Sequence, residues 1–462
     1  MTDRLALALD RASAARLIPG NTIRHIPDSP AALEAMLELI AGARRTVHFE
    51  NYIIRDDRTG HRFAAALEER ARAGVQVRVL YDGFGSVGTS GRFWRELRRA
   101  GAEVRVFGPL LTSGLFQLLS RDHRKLLVVD GGEAMMGGLC IGDEWAGDPE
   151  RGRLPWRDTM LAVCGPAVAV LEGSFARVWA TMGAPLPPDA LVPASEPCGT
   201  SALRVVDGVP AQSRAYRAVQ MLAAAARERL WITDAYLVAP PPLYAALVDA
   251  AKSGVDVRMI LPGTSDLPVV RTFSRIGYRD LLRAGVRIFE YRGPMIHAKT
   301  LVVDREWARV GSTNLNVSSL LGNYELDIIA ECDSLTEALA AQFRHDAARS
   351  REIALVERRR LFPARLVRGP DDPAAPPTPM LHKRSRRELQ AAAAIALVQV
   401  AGGARRMVAG AAAVPFAVVG ALLLVFPTAT SLVLAACSLA LSVGLASYAL
   451  ARRRSRRKTD AA

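Results

Sequence analysis

The sequence has few cysteines and is short of acidic residues, and it lacks several common motifs. Its five cysteines are scattered without a CxxC pair, so no disulfide framework is indicated and a reducing compartment is favoured. The Gly-rich stretch at 83–88 has no P-loop lysine, which argues against nucleotide binding. The first apolar run contains Asp3, Arg4, Asp10 and Arg11, and it therefore lacks the uninterrupted apolar core of a secretion signal.

Basic residues outnumber acidic ones by 60 to 46, which gives a formal net charge of +14. Such a balance suits an anionic partner, either nucleic acid or an anionic membrane face. Much of the excess lies late, at 358–360, 383–387, 405–406 and 452–458, where it flanks apolar stretches. This distribution favours a membrane over nucleic acid. An arginine-rich composition typical of a high-GC genome is the alternative explanation.

Two long uncharged runs occupy the end of the chain, 20 residues at 407–426 and 24 residues at 428–451. A hydrocarbon core of about 30 Å needs roughly 20 residues of helix, so each run is long enough to span it. Basic flanks on both sides predict a transmembrane helical hairpin with both ends in the cytoplasm. The rest of the chain would then lie on the cytoplasmic face of the cell (inner) membrane. An apolar hairpin inside a soluble core is the alternative.

An internal repeat with a period of about 180 residues organises the first 350 residues. Alternating helices and strands predict βαβ units and largely parallel sheets, hence an α/β fold. The expected units are a first repeat at 1–182, a Pro-rich linker at 183–202, a second repeat at 203–350, a basic juxtamembrane segment at 351–404 and the hairpin with its basic tail at 405–462. The predicted helices are 31–43, 61–72 and 93–100, then 213–227, 243–252 and 278–283; the predicted strands are 46–54, 75–80 and 103–107, then 230–238, 255–260 and 286–291.

Each repeat contains the pattern H-x-K-x4-D-x6-G. The residues are His123, Lys125, Asp130 and Gly137 in the first copy, and His297, Lys299, Asp304 and Gly311 in the second. Residues two apart on a strand point to the same side, so each histidine and lysine face one pocket together. An imidazole beside an ammonium supplies a nucleophile or proton carrier next to a clamp for phosphate oxygens. The aspartate has the opposite parity and suits fixing the turn or binding the lysine.

The small residues after each aspartate are candidates for substrate binding. Gly137, Gly138 and Ser312 would let backbone N–H groups approach an anion closely. A single H-x-K arises by chance in many chains. Two copies with the same downstream spacing, at matching places in two repeats, indicate a functional site.

These motifs resemble those of the phospholipase D superfamily, whose mark is a pair of HKD motifs, over about residues 20–345. Within it the chain is most similar to bacterial cardiolipin synthases, through the segments 49–57, 123–125, 137–144 and 156–159. The resemblance implies two repeated phospholipase D-like α/β domains packed as a pseudo-dimer, with both motifs in one cleft. It also implies catalysis without a metal or cofactor through a covalent phosphohistidine. By analogy His123 is the nucleophile and His297 the general acid and base.

The resemblance implies supporting residues as well. Lys125, Lys299 and Asn314 would hold phosphate oxygens, and Asp158 and Glu325 match the carboxylates that orient the imidazoles. The first motif has Cys140 where the second has Asn314, and a thiol donates hydrogen bonds poorly. We interpret Cys140 as a small buried residue, and the alternative is a redox-sensitive thiol.

The implied function is phosphatidyl transfer between anionic phospholipids, giving cardiolipin. Hydrolysis to phosphatidic acid by a phospholipase D, a metal-independent nuclease of the same superfamily, and a membrane scaffold with a decayed site are the alternatives. The two apolar runs argue against the nuclease, and the intact His, Lys and Asp residues argue against the scaffold. Anionic phospholipid and membrane are the expected partners; no protein partner is indicated.

Overall fold

The computed structural model describes residues 2–109, 120–191, 196–356 and 365–368 of the chain. The helices in these ranges are α1 (Thr2–Ser13), α2 (Ser29–Ala41), α3 (Arg58–Arg72), α4 (Gly91–Arg99), α5 (Asp143–Ala146), α6 (Ala167–Thr181), α7 (Arg214–Ala225), α8 (Pro241–Lys252), α9 (Pro268–Arg283), α10 (Val317–Leu321) and α11 (Asp333–Ala348). Two short 3-10 turns occur at Pro149–Arg151 and Pro188–Ala190.

The strands of the first half are β1 (Ile18–Ile26), β2 (Thr46–Asn51), β3 (Gln76–Asp82), β4 (Glu103–Phe107), β5 (Lys125–Val129), β6 (Glu133–Gly137) and β7 (Met160–Cys164). Those of the second half are β8 (Ser201–Gly208), β9 (Arg229–Thr233), β10 (Asp256–Pro262), β11 (Arg287–Tyr291), β12 (Thr300–Val303), β13 (Trp307–Gly311), β14 (Glu325–Glu331), β15 (Ser350–Val356) and β16 (Arg365–Arg368).

The strand order shows the repeat directly. The first half runs β4-β3-β2-β5-β6-β7-β1, and the second runs β11-β10-β9-β12-β13-β14-β8 in the same arrangement. The two halves join where β1 pairs antiparallel with β8, and β15 and β16 extend the far edge. The chain therefore folds as two repeated α/β domains that share one mixed sheet.

The expectation of largely parallel sheets is wrong. Parallel pairing holds β2 to β3 and β3 to β4, and likewise β9 to β10 and β10 to β11. The motif strands β5 and β12 instead pair antiparallel with β2 and β9, and each forms a hairpin with the next strand. Only three residues connect β5 to β6, too few for the crossover that a parallel pair needs.

The two halves pack on each other through a shared apolar core. This core contains Leu126 and Val128 of β5 together with Leu326 and Ile328 of β14, and it also includes Phe175 of α6. Strands β13 and β14 contact β6 as well. The sheet therefore folds over so that the motif strand of one half lies near the last antiparallel strands of the other, as a pseudo-dimer requires.

The helix boundaries follow local signals. Gly74 and Gly254 follow α3 and α8 with φ of 87° and 91°, a backbone conformation that glycine adopts at the least cost. Among the predicted helices α9 differs most, because it begins at Pro268 and not at Tyr278, whereas α1, α6 and α11 were not predicted. In the described part of the chain, no helix is both long and apolar enough to cross a membrane. The predicted spans at 407–426 and 428–451 lie outside the described residues.

Candidate active site

Each motif histidine is bonded to a carboxylate from the other half of the molecule. Nδ1 of His123 lies 3.0 Å from Oε2 of Glu325. Nδ1 of His297 lies 2.6 Å from Oδ2 of Asp158. Both histidines and both carboxylates are buried. The sequence identified these carboxylates, but not that each serves the histidine of the opposite repeat.

Backbone contacts cause this exchange. The N–H of His123 donates to the carbonyl of Tyr324 at 2.9 Å, immediately before Glu325. In the matching contact, the N–H of His297 donates to the carbonyl of Arg157 at 2.7 Å, immediately before Asp158. Two short parallel bridges between the halves, Asp122 with Tyr324 and Ile296 with Arg157, thus set each histidine beside the opposite carboxylate.

The motif lysines lie at the base of the two histidines. Nζ of Lys125 donates to the carbonyl of His123, and Nζ of Lys299 donates to the carbonyl of His297. Nζ of Lys299 also lies 2.9 Å from Nδ1 of His297 and 2.9 Å from its Nε2. Both lysines are 1% exposed, so their ammonium groups are available to a bound anion and hardly to water.

The electrostatics of the site make the resting imidazoles neutral. Burial lowers the pKa of His123 to about 4, against the opposing charge of Glu325. Burial also lowers the pKa of His297, and the charge of Lys299 adds to this effect. Burial alone would raise the pKa of each carboxyl group. The paired imidazole and a nearby lysine outweigh it and lower the pKa of Asp158 and of Glu325 to about 2.

These charges fix the tautomer of each ring. An ionised carboxylate at Nδ1 accepts that proton, so the lone pair of a neutral imidazole lies on Nε2. The lysine charges reach across the halves, because Lys299 also lowers the pKa of His123 and Lys125 lowers that of His297. Burial lowers the pKa of Lys299 to about 8, and Lys125 contributes to that shift as well. The arrangement offers two oriented nitrogen bases within a cationic environment.

The motif aspartates lie at the far ends of their strands. The carboxylate of Asp130 accepts the backbone N–H groups of Arg44, Arg45 and Thr46 at 2.7–2.9 Å. Asp304 accepts those of 227–229 at 2.8–3.1 Å in the same way. Seven residues of extended chain separate each aspartate from its histidine, a distance of about 23 Å. They were grouped with the catalytic residues by motif, but they hold the start of β2 and β9.

The candidates for substrate binding have other partners. The N–H of Gly138 donates to Thr159 at 3.1 Å, and that of Ser312 donates to Leu326 at 3.0 Å, so neither faces a free anion. A side chain at Gly137 or Gly138 would overlap Thr159 or Asp158 respectively. The hydroxyl of Ser312 donates to Oε2 of Glu325. These small residues therefore support the orienting carboxylates.

Cys140 and Asn314 are both buried. Nδ2 of Asn314 lies 3.4 Å from the hydroxyl of Ser319, while its Oδ1 has no hydrogen-bond partner in the described structure. Burial raises the pKa of the Cys140 thiol, against the charge of Lys125. A buried thiol with a raised pKa is a weak nucleophile. This favours the interpretation of Cys140 as a small packing residue.

Aromatic rings enclose both histidines, and the motif gave no signal for most of them. Tyr52 contacts His123 edge-on with the ring centroids 4.8 Å apart. Trp145 and Tyr236 lie 5.6 and 6.0 Å from His297. Nε1 of Trp145 also donates to Oδ2 of Asp158 at 3.1 Å. Trp145 was not identified from the sequence; only its position just after 137–144 pointed toward it.

The strand register shows which residues of the two repeats correspond. Glu50 lies opposite Leu126 and Thr233 lies opposite Thr300, at matching places after the motif lysines. Asp234 therefore corresponds to Asn51 and not to Glu50.

Among the residues that the structure describes, no group of three or more His, Cys, Asp or Glu side chains could hold a metal ion.

Comparisons with known proteins agree with this geometry. Residues 36–143 and 219–347 match the family described as "Cardiolipin synthase, PLD-like domain". Cardiolipin synthase A of Pseudomonas aeruginosa (strain LESB58) is 35% identical over 356 residues, which are 76% of this chain and 72% of that protein. Cardiolipin synthase of Geobacillus thermodenitrificans (strain NG80-2) is 35% identical over 72% of this chain and 68% of that one.

Among solved structures, phosphatidylserine synthase of Haemophilus influenzae Rd KW20 shares the fold. Its TM-score is 0.57 at 13% identity, over 76% of this chain and 92% of that one. Two repeats with one strand order, two H-x-K strands and the sequence matches over three quarters of the length lead to one assignment. The chain belongs to the cardiolipin synthase family of phospholipase D-like proteins.

Proposed function

We propose that the protein joins two phosphatidylglycerol molecules into cardiolipin and glycerol, through a covalent phosphohistidine. As a family member it is a phosphatidyltransferase of the phospholipase D type. The observation that carries the proposal is the exchange of carboxylates between halves, with His123 on Glu325 and His297 on Asp158. Two such pairs in one site supply a nucleophile and a separate proton carrier.

In the first step, Nε2 of His123 attacks the phosphorus of one phosphatidylglycerol. The bond between phosphorus and the glycerol oxygen breaks, and a protonated His297 gives its proton to that oxygen. The anionic phosphodiester favours this imidazolium when it binds, because an opposite charge raises the pKa of a neighbouring histidine. Lys125 and Lys299 hold the equatorial oxygens as charge develops.

In the second step, His297 is the base. It takes the proton from a headgroup hydroxyl of the second phosphatidylglycerol, and the oxygen attacks the phosphorus. The bond between phosphorus and His123 breaks, which restores the neutral imidazole and releases cardiolipin. Each step forms one bond to phosphorus and breaks one, and His297 ends the second step protonated, as it began the first.

Burial of the site favours an alcohol over water as the acceptor. The histidines are only 8% and 5% exposed and the lysines 1%. A lipid headgroup that fills such a site excludes water from the phosphohistidine. Transfer is therefore favoured over hydrolysis to phosphatidic acid.

An apolar and basic rim beside His297 supports a membrane as the source of substrate. Leu154, Phe273 and Ile276 are large apolar side chains with 51%, 41% and 70% of their surface exposed. Trp156 and Val270, close to them in sequence, both pack with Tyr236 next to the histidine. Helical spacing places Ile276 between Phe273 and the arginines of the last turns of α9. We name Leu154, Phe273 and Ile276 the rim.

The predicted hairpin at 407–426 and 428–451 would hold this face against the cytoplasmic leaflet of the inner membrane. The test of its topology uses single cysteines placed at the two chain ends in cells. Labelling by an impermeant reagent only after the inner membrane is opened supports a cytoplasmic location for both ends. Labelling of one end in intact spheroplasts contradicts the hairpin.

The test of the activity is to incubate the purified full-length chain with phosphatidylglycerol in detergent. Cardiolipin and glycerol in equal amounts, lost in His123→Ala and in His297→Ala, support the proposal. Phosphatidic acid as the main product would replace it with hydrolysis, and metal-independent cleavage of DNA lost in the same variants would replace it with a nuclease. Glu352→Gln, on an exposed ion pair with Arg287, is the control for purification.

A further inference from the structure

A cluster of buried polar side chains lies behind His123, around the segment that leads into β5. Glu50 of β2 and Asp122, the residue before His123, are both 0% exposed. In the described structure no N–H or hydroxyl group donates to either carboxyl oxygen of Glu50, and the same holds for Oδ2 of Asp122. Leaving three such acceptors unsatisfied in an apolar interior is costly. One proton shared between the two groups gives an oxygen of each a hydrogen-bond partner and so reduces that cost.

The two carboxyl groups lie within hydrogen-bonding reach of each other. Two carboxylates are both acceptors, so they can hydrogen-bond only when one of them carries a proton. We propose that Glu50 is a neutral carboxylic acid that donates its proton to Asp122 and thereby positions the segment that carries His123. Glu50 is in this sense a positioning residue, which acts through Asp122 and does not touch the substrate.

The surroundings decide which residue keeps the proton. Oδ1 of Asp122 accepts the backbone N–H of Arg124 at 3.4 Å, whereas no N–H reaches Glu50. The negative charge is therefore better placed on Asp122. Burial, with the adjacent charge of Asp122, raises the pKa of Glu50 well above its ordinary value, while burial raises that of Asp122 only to about 6.

The charge balance of the cluster agrees with a neutral Glu50. Arg124 bonds Asp207, which also accepts from Arg177 at 2.6 Å. With Asp122 ionised, these four groups sum to zero, and an ionised Glu50 would add one uncompensated buried charge. The other charged or titratable groups that face this cluster from neighbouring elements are Asp82 with Arg121 at 3.1 Å, His48 with Glu172 at 3.1 Å, Arg78, and Tyr324.

The position of Asp122 links this proton to the active site. Its backbone N–H donates to Asp82 at 3.0 Å, and it forms the bridge with Tyr324 that brings His123 to Glu325. The second half has Thr233 and Ile296 at the corresponding places, so no carboxyl pair lies behind His297. The carboxyl pair therefore lies behind His123 and not behind His297, and the two halves differ chemically.

The direct test is infrared spectroscopy of the full-length protein in detergent at neutral pH. We expect a carbonyl band of a protonated carboxylic acid that shifts in deuterium oxide and disappears in Glu50→Gln. Glu325→Gln is the matched control, since Glu325 is a buried carboxylate whose pKa is lowered to about 2, and the band should remain. Absence of the band in the wild type, or a band lost only in Asp122→Asn, would overturn the proposal.

Activity and stability give a second readout. Glu50→Gln keeps a donor for Asp122 and should rescue most of the rate that Glu50→Leu loses, about 10-fold. The native state holds a proton that the unfolded chain releases, so wild-type stability falls as pH rises from the unfolded pKa of about 4.3 toward the folded one. Glu50→Gln should lack that slope. Equal slopes, or equal rates for Gln and Leu, would contradict a shared proton.

The spectroscopic result does not depend on which lipid is transferred. A protein that shows the band but makes no cardiolipin would leave the proton on Glu50 intact and refute only the proposed function. A protein that makes cardiolipin but lacks the band would refute the proton on Glu50 and leave the proposed function intact.

Discussion

Replacing Glu325 by glutamine tests the exchange of carboxylates between halves. The change removes the negative charge at Nδ1 of His123 while keeping the size of the side chain. Glutamine can present its amide to Nδ1, which then has to accept, and the proton moves to Nε2. His123 would lose the lone pair that attacks phosphorus.

The magnitude follows from the contact. A hydrogen bond to a charged group contributes about 1.5–3 kcal/mol, and each 1.4 kcal/mol is about tenfold in rate. Loss of the bond alone thus costs about 10- to 150-fold. A wrong tautomer in a comparable carboxylate and histidine pair raises the loss to about 10⁴-fold. We expect the kcat of Glu325→Gln for cardiolipin formation to fall between about 10²- and 10⁴-fold.

The assay measures kcat and KM with phosphatidylglycerol in mixed micelles, together with the amount of trapped phosphatidyl-enzyme. Glu337→Gln, on the exposed pair with Arg344, is the matched control and should change kcat less than about twofold. The trapped intermediate should decrease with kcat if His123 is the nucleophile. A Glu325→Gln enzyme within threefold of the wild type would refute the reasoning.

The same carboxylate predicts a pH effect on stability. The pKa of Glu325 is lowered in the folded protein, so its contribution is present above the unfolded pKa of about 4.3 and is lost as pH falls toward 2. Unfolding by urea between these pH values should show a smaller loss for Glu325→Gln than for the wild type. An identical loss would show that the pair contributes nothing to folding.

Three further predictions follow from other contacts. Asp130→Ala removes the acceptor of three backbone N–H groups at a residue with φ of 53°. The melting temperature should therefore fall by several degrees, while the kcat of the folded fraction stays within about threefold. A large loss of kcat at unchanged stability would show that Asp130 takes part in catalysis. Cys140 is 1% exposed, so it should resist iodoacetamide in the native protein while the exposed Cys198 reacts, as mass spectrometry would show; equal labelling would contradict the buried position. Ile276→Asp on the rim should lower the rate on phosphatidylglycerol vesicles about 10-fold but should not lower the rate on a short-chain soluble substrate. Leu7→Asp on α1, which is also exposed, is the control. Equal effects of the two substitutions would show that the rim does not contact the membrane.

The sequence predicted the repeat and the two motif strands, and the family resemblance named Asp158 and Glu325 as the carboxylates beside the histidines. It did not predict the exchange, because His123 and Glu325 are 202 residues apart and local periodicity carries no information on such contacts. The antiparallel strands of each repeat were missed for a related reason, since pairing direction depends on turn length and on partners distant in the chain. The prediction of helix α9 was too short because the exposed Phe273 and Ile276 add a second apolar stripe, which obscures the helical periodicity.

The small residues after the motif show another limit. Their small size indicated space for an anion, but size alone does not show which neighbouring group fills that space. In the structure Asp158 occupies it beside Gly138, and Ser312 bonds Glu325. The sequence predicted a role for these residues toward the substrate, and the structure shows their contacts with the carboxylates.

The central claim is that the two imidazoles act on one phosphorus atom. The most direct measurement is a crystal structure of the full-length protein with orthovanadate, which adopts the five-coordinate geometry of phosphoryl transfer. The account predicts one vanadium atom bonded to Nε2 of one motif histidine, with Nε2 of the other within hydrogen-bonding distance of the opposite apical oxygen. Two separate vanadate sites, one at each histidine, would contradict it.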